Sequence, residues 1–260
     1  MRKLEKLLNF VGLNPLILFK MLGRLPAYWR QGRRFEALRR VDTPEVPMGR
    51  HVPRLVERDE QSGVCRGAYF YQDVIVARRI FEKNPARHID VGSRVDGFVA
   101  HVACFRKIEV FDIRSLESGL DNLVFRRCDL MGEIPADFLA CTDSLSCLHT
   151  LEHFGLGRYG DPLDARGHLR GFENLGRMLK PGGTLYFSVP LGGLRIEFND
   201  QRVFSLDYLI GMVGSGYSIV NFSYIDDAGA LHQDVPLSEE GRRTNFGCQT
   251  GCAVFELLKR

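Results

Sequence analysis

The stretch His88-Ile89-Asp90-Val91-Gly92-Ser93-Arg94-Val95-Asp96-Gly97 decides the fold. Its start reads as the end of a short buried strand, Arg87 to Val91. A tight turn follows, with Gly92 and Gly97 in it, Asp90 just before it and Asp96 inside it. The apolar run from Phe98 to Cys104 then suits a helix. Strand, glycine turn and helix make the nucleoside-cradling unit of doubly wound folds. Glycine serves there because the backbone must bend sharply and admit a ligand with no Cβ in the way. The phosphate fingerprint GxGxxG is absent: the turn is Gly-Ser-Arg-Val-Asp-Gly, with glycines five apart. That argues for a ligand without a pyrophosphate.

Outward from this turn the pattern alternates. Upstream, Tyr69 to Phe81 is helix-periodic and stops at Asn84-Pro85. Downstream, strands are expected at Lys107–Phe111, Leu123–Cys128, Asp143–Leu148, Thr184–Val189, Tyr217–Ile225 and Cys252–Leu258. Helices are expected at Gly167–Leu179, before Lys180-Pro181-Gly182-Gly183, and at Leu206–Val213. The fold class is therefore α/β: a doubly wound, mostly parallel, seven-stranded sheet.

The acids fall at strand ends. Asp90 lies in the first strand, Asp112 ends the second and Asp129 ends the third. In open α/β sheets ligands bind beyond the carboxyl ends of the strands. An acid after strand two suits a ribose diol, and one after strand three suits an adenine amino group. Asp90, beside the glycine turn, suits the positive methionine end of a nucleoside. Singly, each reads sooner as a solvated turn residue. In register they describe an S-adenosylmethionine pocket of Asp90, Gly92, Ser93, Arg94, Gly97, Asp112, Ile113, Asp129 and Leu130.

His149, Glu152 and His153 form HxxEH at the end of strand four. The order resembles an inverted zinc-peptidase motif, but it follows a strand in a parallel pattern, which argues against a peptidase. Three uses stay open. A histidine is a general base for a hydroxyl proton, the three residues hold a divalent metal, or they only pin the loop. Gly155 to Asp164 reads as an ordered loop over the site. In it Asp161 is the reserve acceptor for the substrate proton, and Arg158 and Tyr159, with Asn199 and Arg202 further on, are substrate contacts.

Several segments resemble class I methyltransferases: Leu179 to Pro190 as the helix–turn–strand near the substrate side, and Leu151-Glu152-His153 after strand four. A closer resemblance covers nearly the whole body. Phe70-Tyr71-Gln72-Asp73, Asp90 to Arg94, Glu152 to Pro162 and Phe198 to Phe204 look like the family called domain of unknown function 268. Its proteins are similar to methyltransferases and are often encoded with bacterial surface-polysaccharide enzymes. The resemblance implies a Rossmann-like class I fold and S-adenosylmethionine-dependent O-methylation of a sugar hydroxyl in O-antigen or capsule biosynthesis. Two rivals stand beside it: a catalytically silent scaffold in a glycan-assembly complex, and a metal-dependent sugar-modifying enzyme built on HxxEH.

Composition bounds the rest. Hydrophobic residues make up 45% and charged residues 26% of the chain, as in an ordinary globular protein. The net charge of +3 points to no nucleic-acid partner. Yet the first forty residues carry ten Lys and Arg against Glu5 and Glu36, a balance of +8, and the remainder stands at −5. The division expected is a basic helical arm and linker over 1–53 and a catalytic domain over 54–260. The arm should break at Pro15 and Pro26. Leu4, Leu7, Leu8 and Val11 at helical spacing, beside Arg2, Lys3 and Lys6, suit either a basic amphipathic arm on an anionic membrane or a helical cap on the body or on a second copy. Residues 41–53 hold three prolines and read as a linker. Seven scattered cysteines read as core hydrophobes of a reducing compartment. With no secretory signal in view, the expected location is the cytoplasm, at the inner face of the membrane if the arm binds there.

Overall fold

The computed structural model describes residues 15–56 and 63–260, and the chain divides into two compact units at Val64/Cys65. The expectations for Arg2 to Val11 lie outside the described residues.

The first unit is built on one helix, α1 (Pro15–Asp42). Pro15 opens it, where a missing N–H costs nothing. Pro26 lies inside it, so the expected break there does not occur; one backbone hydrogen bond is lost and the helix runs on. Nor is α1 amphipathic over these residues. Leu18, Leu22 and Trp29 share a side with Arg33 and Arg40, and Phe19 and Phe35 are exposed on others. The expected linker folds back on α1. Arg24 donates to the carbonyls of Leu55 (2.7 Å) and Val56 (3.3 Å), Tyr28 bonds His51 (3.1 Å), and Arg39 donates to the Val46 carbonyl (2.7 Å). No helix among the described residues is long and apolar enough to cross a membrane.

The second unit, Cys65–Arg260, contains α2 (Ala68–Lys83), β1 (His88–Val91), α3 (Ala100–Ala103), β2 (Ile108–Asp112), β3 (Leu123–Arg127), β4 (Thr142–Leu148), α4 (Gly167–Met178) and β5 (Leu179–Leu191). After these come a hairpin of β6 (Arg195–Glu197) and β7 (Gln201–Val203), then α5 (Leu206–Val213), β8 (Tyr217–Ile225), β9 (Leu231–His232), α6 (Glu239–Thr244) and β10 (Gly251–Lys259). The sheet order is β3-β2-β1-β4-β5-β10-β8-β9. The pairs from β3 through β5 are parallel; β10 runs antiparallel to both β5 and β8. The expected seven strands are all present, and the two-residue β9 adds an eighth at the edge. It is too short to show any alternation in sequence.

Local chemistry explains the boundaries. α2 ends where Asn84 turns left-handed (φ 44°) and returns its N–H to Ile80, just before Pro85. All four residues of β1 are buried, as expected of a central parallel strand covered on both faces. Ile89, Val91, Phe111 and Leu145 pack on one face with Phe172 and Leu175 of α4. Val110, Ile108 and Leu148 pack on the other with Val76 and Ile80 of α2 and Phe98 and Val102 beside it. The chain leaves β1 for β2 on one side, while β4 lies on the other. That reversal opens a crevice at the carboxyl ends of β1, β2 and β4.

Candidate active site

The crevice is lined by Gly92 from the turn, Asp112, Ile113 and Arg114 at and after the end of β2, Asp129, Leu130 and Met131 after β3, and His149, Thr150, His153 and Phe154 after β4. Tyr159 and Asp161 reach it from the following loop.

The turn is held from beneath. Asp90 is fully buried. It accepts from the Ser93 N–H (3.0 Å), the Ser93 hydroxyl (2.6 Å) and the Ser146 hydroxyl (2.6 Å), across the β1–β4 pair that sets Asp90 beside Ser146. Burial pushes its pKa up to about 6, against the pull of these donors. The expectation that Asp90 meets a ligand is therefore corrected: it pins the turn and does not line the crevice. Ser93, buried with it, does the same work. Arg94 points outward, forked on Asp96 (2.8 and 3.1 Å). Gly97 faces Asp73 of α2.

Gly92 does line the crevice, and its lack of a side chain is required twice over. Its φ is +70°, and a Cβ there would lie 2.3 Å from Thr150 Cγ2. Gly92→Ala should therefore cost about 2 kcal/mol of stability, from left-handed strain and overpacking. Thr150→Ser removes the clashing methyl and should return part of that loss, read from urea midpoints of the single and double variants. Equal midpoints for wild type and Gly92→Ala would show that the turn relaxes freely.

At the end of β2, Asp112 is gripped by its own neighbour. Arg114 donates from its backbone (2.8 Å), Nε (3.0 Å) and Nη2 (2.6 Å). The same guanidinium lies 4.4 Å from the Tyr159 ring, tying the Asp112 tip to the loop. A carboxylate has about four acceptor positions, and Arg114 takes three of them, so Asp112 keeps one for a ribose hydroxyl. Phe111 and Leu130 supply buried apolar wall. Asp129 is exposed and accepts from the Met131 N–H (2.8 Å).

Beyond β4 the HxxEH residues do come together, though not as three equivalent ligands. His149 holds left-handed backbone (φ 49°), the kind of strain that persists where packing over-determines it. Its Nδ1 is 3.0 Å from Glu152 Oε1, and Glu152 is fully buried. Burial pulls the His149 pKa down, but Cys252 and Glu152 beside it hold it well above the ordinary imidazole value. At neutral pH this is a buried imidazolium–carboxylate pair. His153 differs. Its Nδ1 donates to the Asp200 carbonyl (2.6 Å), which leaves the Nε2 lone pair available, 3.8 Å from Glu152 Oε1. Among the described residues no three or more His, Cys, Asp or Glu side chains are placed to hold a metal. The metal expectation for His149, Glu152 and His153 is corrected accordingly: His149 and Glu152 are already paired with each other, which leaves His153 Nε2 as a single open donor.

The loop corrects two more expectations. Asp161 accepts from three backbone N–H groups, Gly155 (2.8 Å), Gly157 (3.2 Å) and Tyr159 (3.1 Å), so it shapes the loop and is no free base. Arg202 is buried and donates to the carbonyls of Phe154 (2.6 Å), Glu152 (3.2 Å) and Asp164 (3.4 Å). It is a clamp, not a substrate contact. Arg158 pairs with Asp200 (2.5 Å) and joins the loop to the hairpin. Tyr159 stands edge-on to His153 at the mouth (5.6 Å). Asn199 is exposed at the hairpin tip with φ 64°.

Sequence reading missed Asp73, Arg114, Thr150 and Cys252. Only Asp73 carried a signal: a carboxylate set among the apolar residues of an amphipathic helix.

The fold has relatives. A sequence profile described as "Caenorhabditis protein of unknown function, DUF268" matches residues 130–243. No curated protein matches the chain by sequence. Among solved structures, the chain is similar to the [4+2]-cyclase SpnF at 15% identity and TM-score 0.53, covering 76% of this chain and 85% of that one. It is similar to Burkholderia thailandensis 1,6-didemethyltoxoflavin-N1-methyltransferase, solved with bound 1,6-didemethyltoxoflavin and S-adenosylhomocysteine, at 14% and 0.50, covering 75% and 79%. It is also similar to the N-methyltransferase NodS from Bradyrhizobium japonicum WM9, at 12% and 0.50, covering 75% and 99%. At these identities the likeness establishes the fold, which is that of Rossmann-like methyltransferases.

Proposed function

We propose that the protein is an S-adenosylmethionine-dependent methyltransferase acting on a hydroxyl of a sugar. One observation carries the reading: an acid at the tip of β2 and an imidazole with a free nitrogen after β4 open onto one crevice.

The residues present fit that cofactor. Phe111, Ile113 and Leu130 offer apolar wall for a purine, with Asp129 near its amino edge. Asp112 accepts from a ribose hydroxyl. Gly92 leaves the backbone bare where the ligand passes. Once bound, the cofactor supplies an electrophilic methyl group. The protein's remaining task is to orient the acceptor and remove one proton. His153 Nε2 is the group for that proton. Its tautomer is fixed by the Asp200 carbonyl, and the charge arriving on the ring is stabilised by Glu152 at 3.8 Å. The His149 ring lies against Glu152 on its other side. Arg158, Tyr159 and Asn199 form the polar rim where an acceptor enters.

The sugar acceptor rests on the resemblance stated above, with the polar rim as support. Isotope-labelled S-adenosylmethionine incubated with nucleotide-activated sugars and short glycans tests it. Label in a base-stable ether on a sugar supports the reading. Label carried only to nitrogen or carbon acceptors would overturn the sugar hydroxyl while leaving methyl transfer standing.

A further inference from the structure

Asp73 lies on the second turn of α2, whose first turns overlie the tips of β1, β4 and β5. Tyr69 packs on the His149 ring (5.1 Å). Gln72 accepts from the Ser188 hydroxyl (2.6 Å) and donates to Asp73 (3.2 Å). On the other side the carboxylate faces the glycine turn: a Cβ on Gly97 would come within 2.6 Å of Asp73 Oδ2. A side chain at 97 would displace it.

This carboxylate is 5% exposed, and among the described residues no cation forms an ion pair with it. The basic side chains that bear on it are His101, His149 and Arg94. Each is engaged elsewhere: Arg94 with Asp96, His149 with Glu152, and His101 with the Gly97 carbonyl. A buried carboxylate without a cation is costly to keep. It becomes favourable when a ligand brings the missing charge. Along the crevice, Asp112 and Asp129 mark the nucleoside end. The ligand's other end must then pass Gly92 towards the turn. There Asp90 is sealed by hydroxyls and Asp96 is forked with Arg94, so Asp73, against Gly97, is the carboxylate left.

We propose that Asp73 receives the α-ammonium of the methionyl group of S-adenosylmethionine. The inference rests on the cofactor reading above, and the test separates the two. Wild type and Asp73→Asn, an isosteric change that keeps a partner for Gln72, are titrated calorimetrically with S-adenosylhomocysteine and with 5′-methylthioadenosine. The second ligand lacks the ammonium and carboxylate. The variant should bind S-adenosylhomocysteine about ten- to a hundredfold more weakly and methylthioadenosine as tightly as wild type. Equal losses for both ligands, or none for either, would overturn the assignment and leave the cofactor reading intact. Wild type binding neither ligand would overturn both.

A second measurement guards against a misfolded variant. Burial raises the Asp73 pKa to about 6, partly offset by Gln72, His101, His149 and Arg94. In wild type, S-adenosylhomocysteine affinity should therefore fall as pH drops through about 6, where the anion is lost. Methylthioadenosine affinity should stay level. Asp90 also titrates near 6, but it lies under the turn common to both ligands, so its effect would appear with both. A pH profile shared by the two ligands would count against Asp73.

Discussion

His153→Ala should lower methyl transfer by a factor of about 10²–10⁴, the usual loss for a general base, with S-adenosylhomocysteine affinity near wild type. The reason is positional. His153 is fixed from behind by the Asp200 carbonyl, stands beside Tyr159 at the mouth, and has a nitrogen left for a substrate proton. Its role is in turnover and not in cofactor binding, so kcat should carry the effect. Single-turnover rates at saturating cofactor give the number. A loss below about threefold would mean that the proton leaves by another route. His149 is then the poorer substitute, because an imidazole held protonated has no lone pair to offer at neutral pH.

The second large effect is on stability. His149→Asn keeps a residue type that tolerates left-handed backbone but removes the cation beside Glu152. The carboxylate has no exposed surface and would be left buried without its counter-charge. Breaking a buried pair from one side typically costs about 3–5 kcal/mol. Urea unfolding should show that loss for His149→Asn and recovery of most of it when Glu152→Gln is added, since the neutral amide needs no cation. The pH dependence has a definite sign. A histidine whose folded pKa is raised contributes stability in full below its unfolded value near 6.5, and that stability disappears as pH rises through the higher folded value. The gap between wild type and His149→Asn should therefore narrow in alkali. A single variant as stable as wild type would show that the pair contributes nothing net.

Much of this fold was legible because parallel strands are short apolar runs closed by acids and glycines. Asp112 and Asp129 fall at the crevice for that reason. Asp90 was misread because sequence places an acid before a turn without saying whether it points up or across. Its partner Ser146 is a neighbour only through strand pairing, 56 residues away. Arg202 misled in a similar way. A lone arginine in a polar stretch reads as a surface contact, yet here it is buried against carbonyls from a loop some forty to fifty residues earlier. Pro26 shows the limit of breaker rules, for a long helix can carry one missing bond. The β6–β7 hairpin, with three residues to a strand, offers too few positions for alternation to be seen. His149 and His153 looked interchangeable in HxxEH, and only geometry separates a charged partner from a free base.

The central claim is that the crevice at β1, β2 and β4 binds S-adenosylmethionine through Asp112. Calorimetric titration of wild type and Asp112→Ala with S-adenosylhomocysteine tests it most directly. Saturable one-to-one binding to wild type is expected, with a loss of about 1.5–3 kcal/mol in the variant, the range for a hydrogen bond to a charged group, which is roughly a ten- to hundredfold weaker Kd. No binding to wild type, or the same affinity in Asp112→Ala, would contradict it.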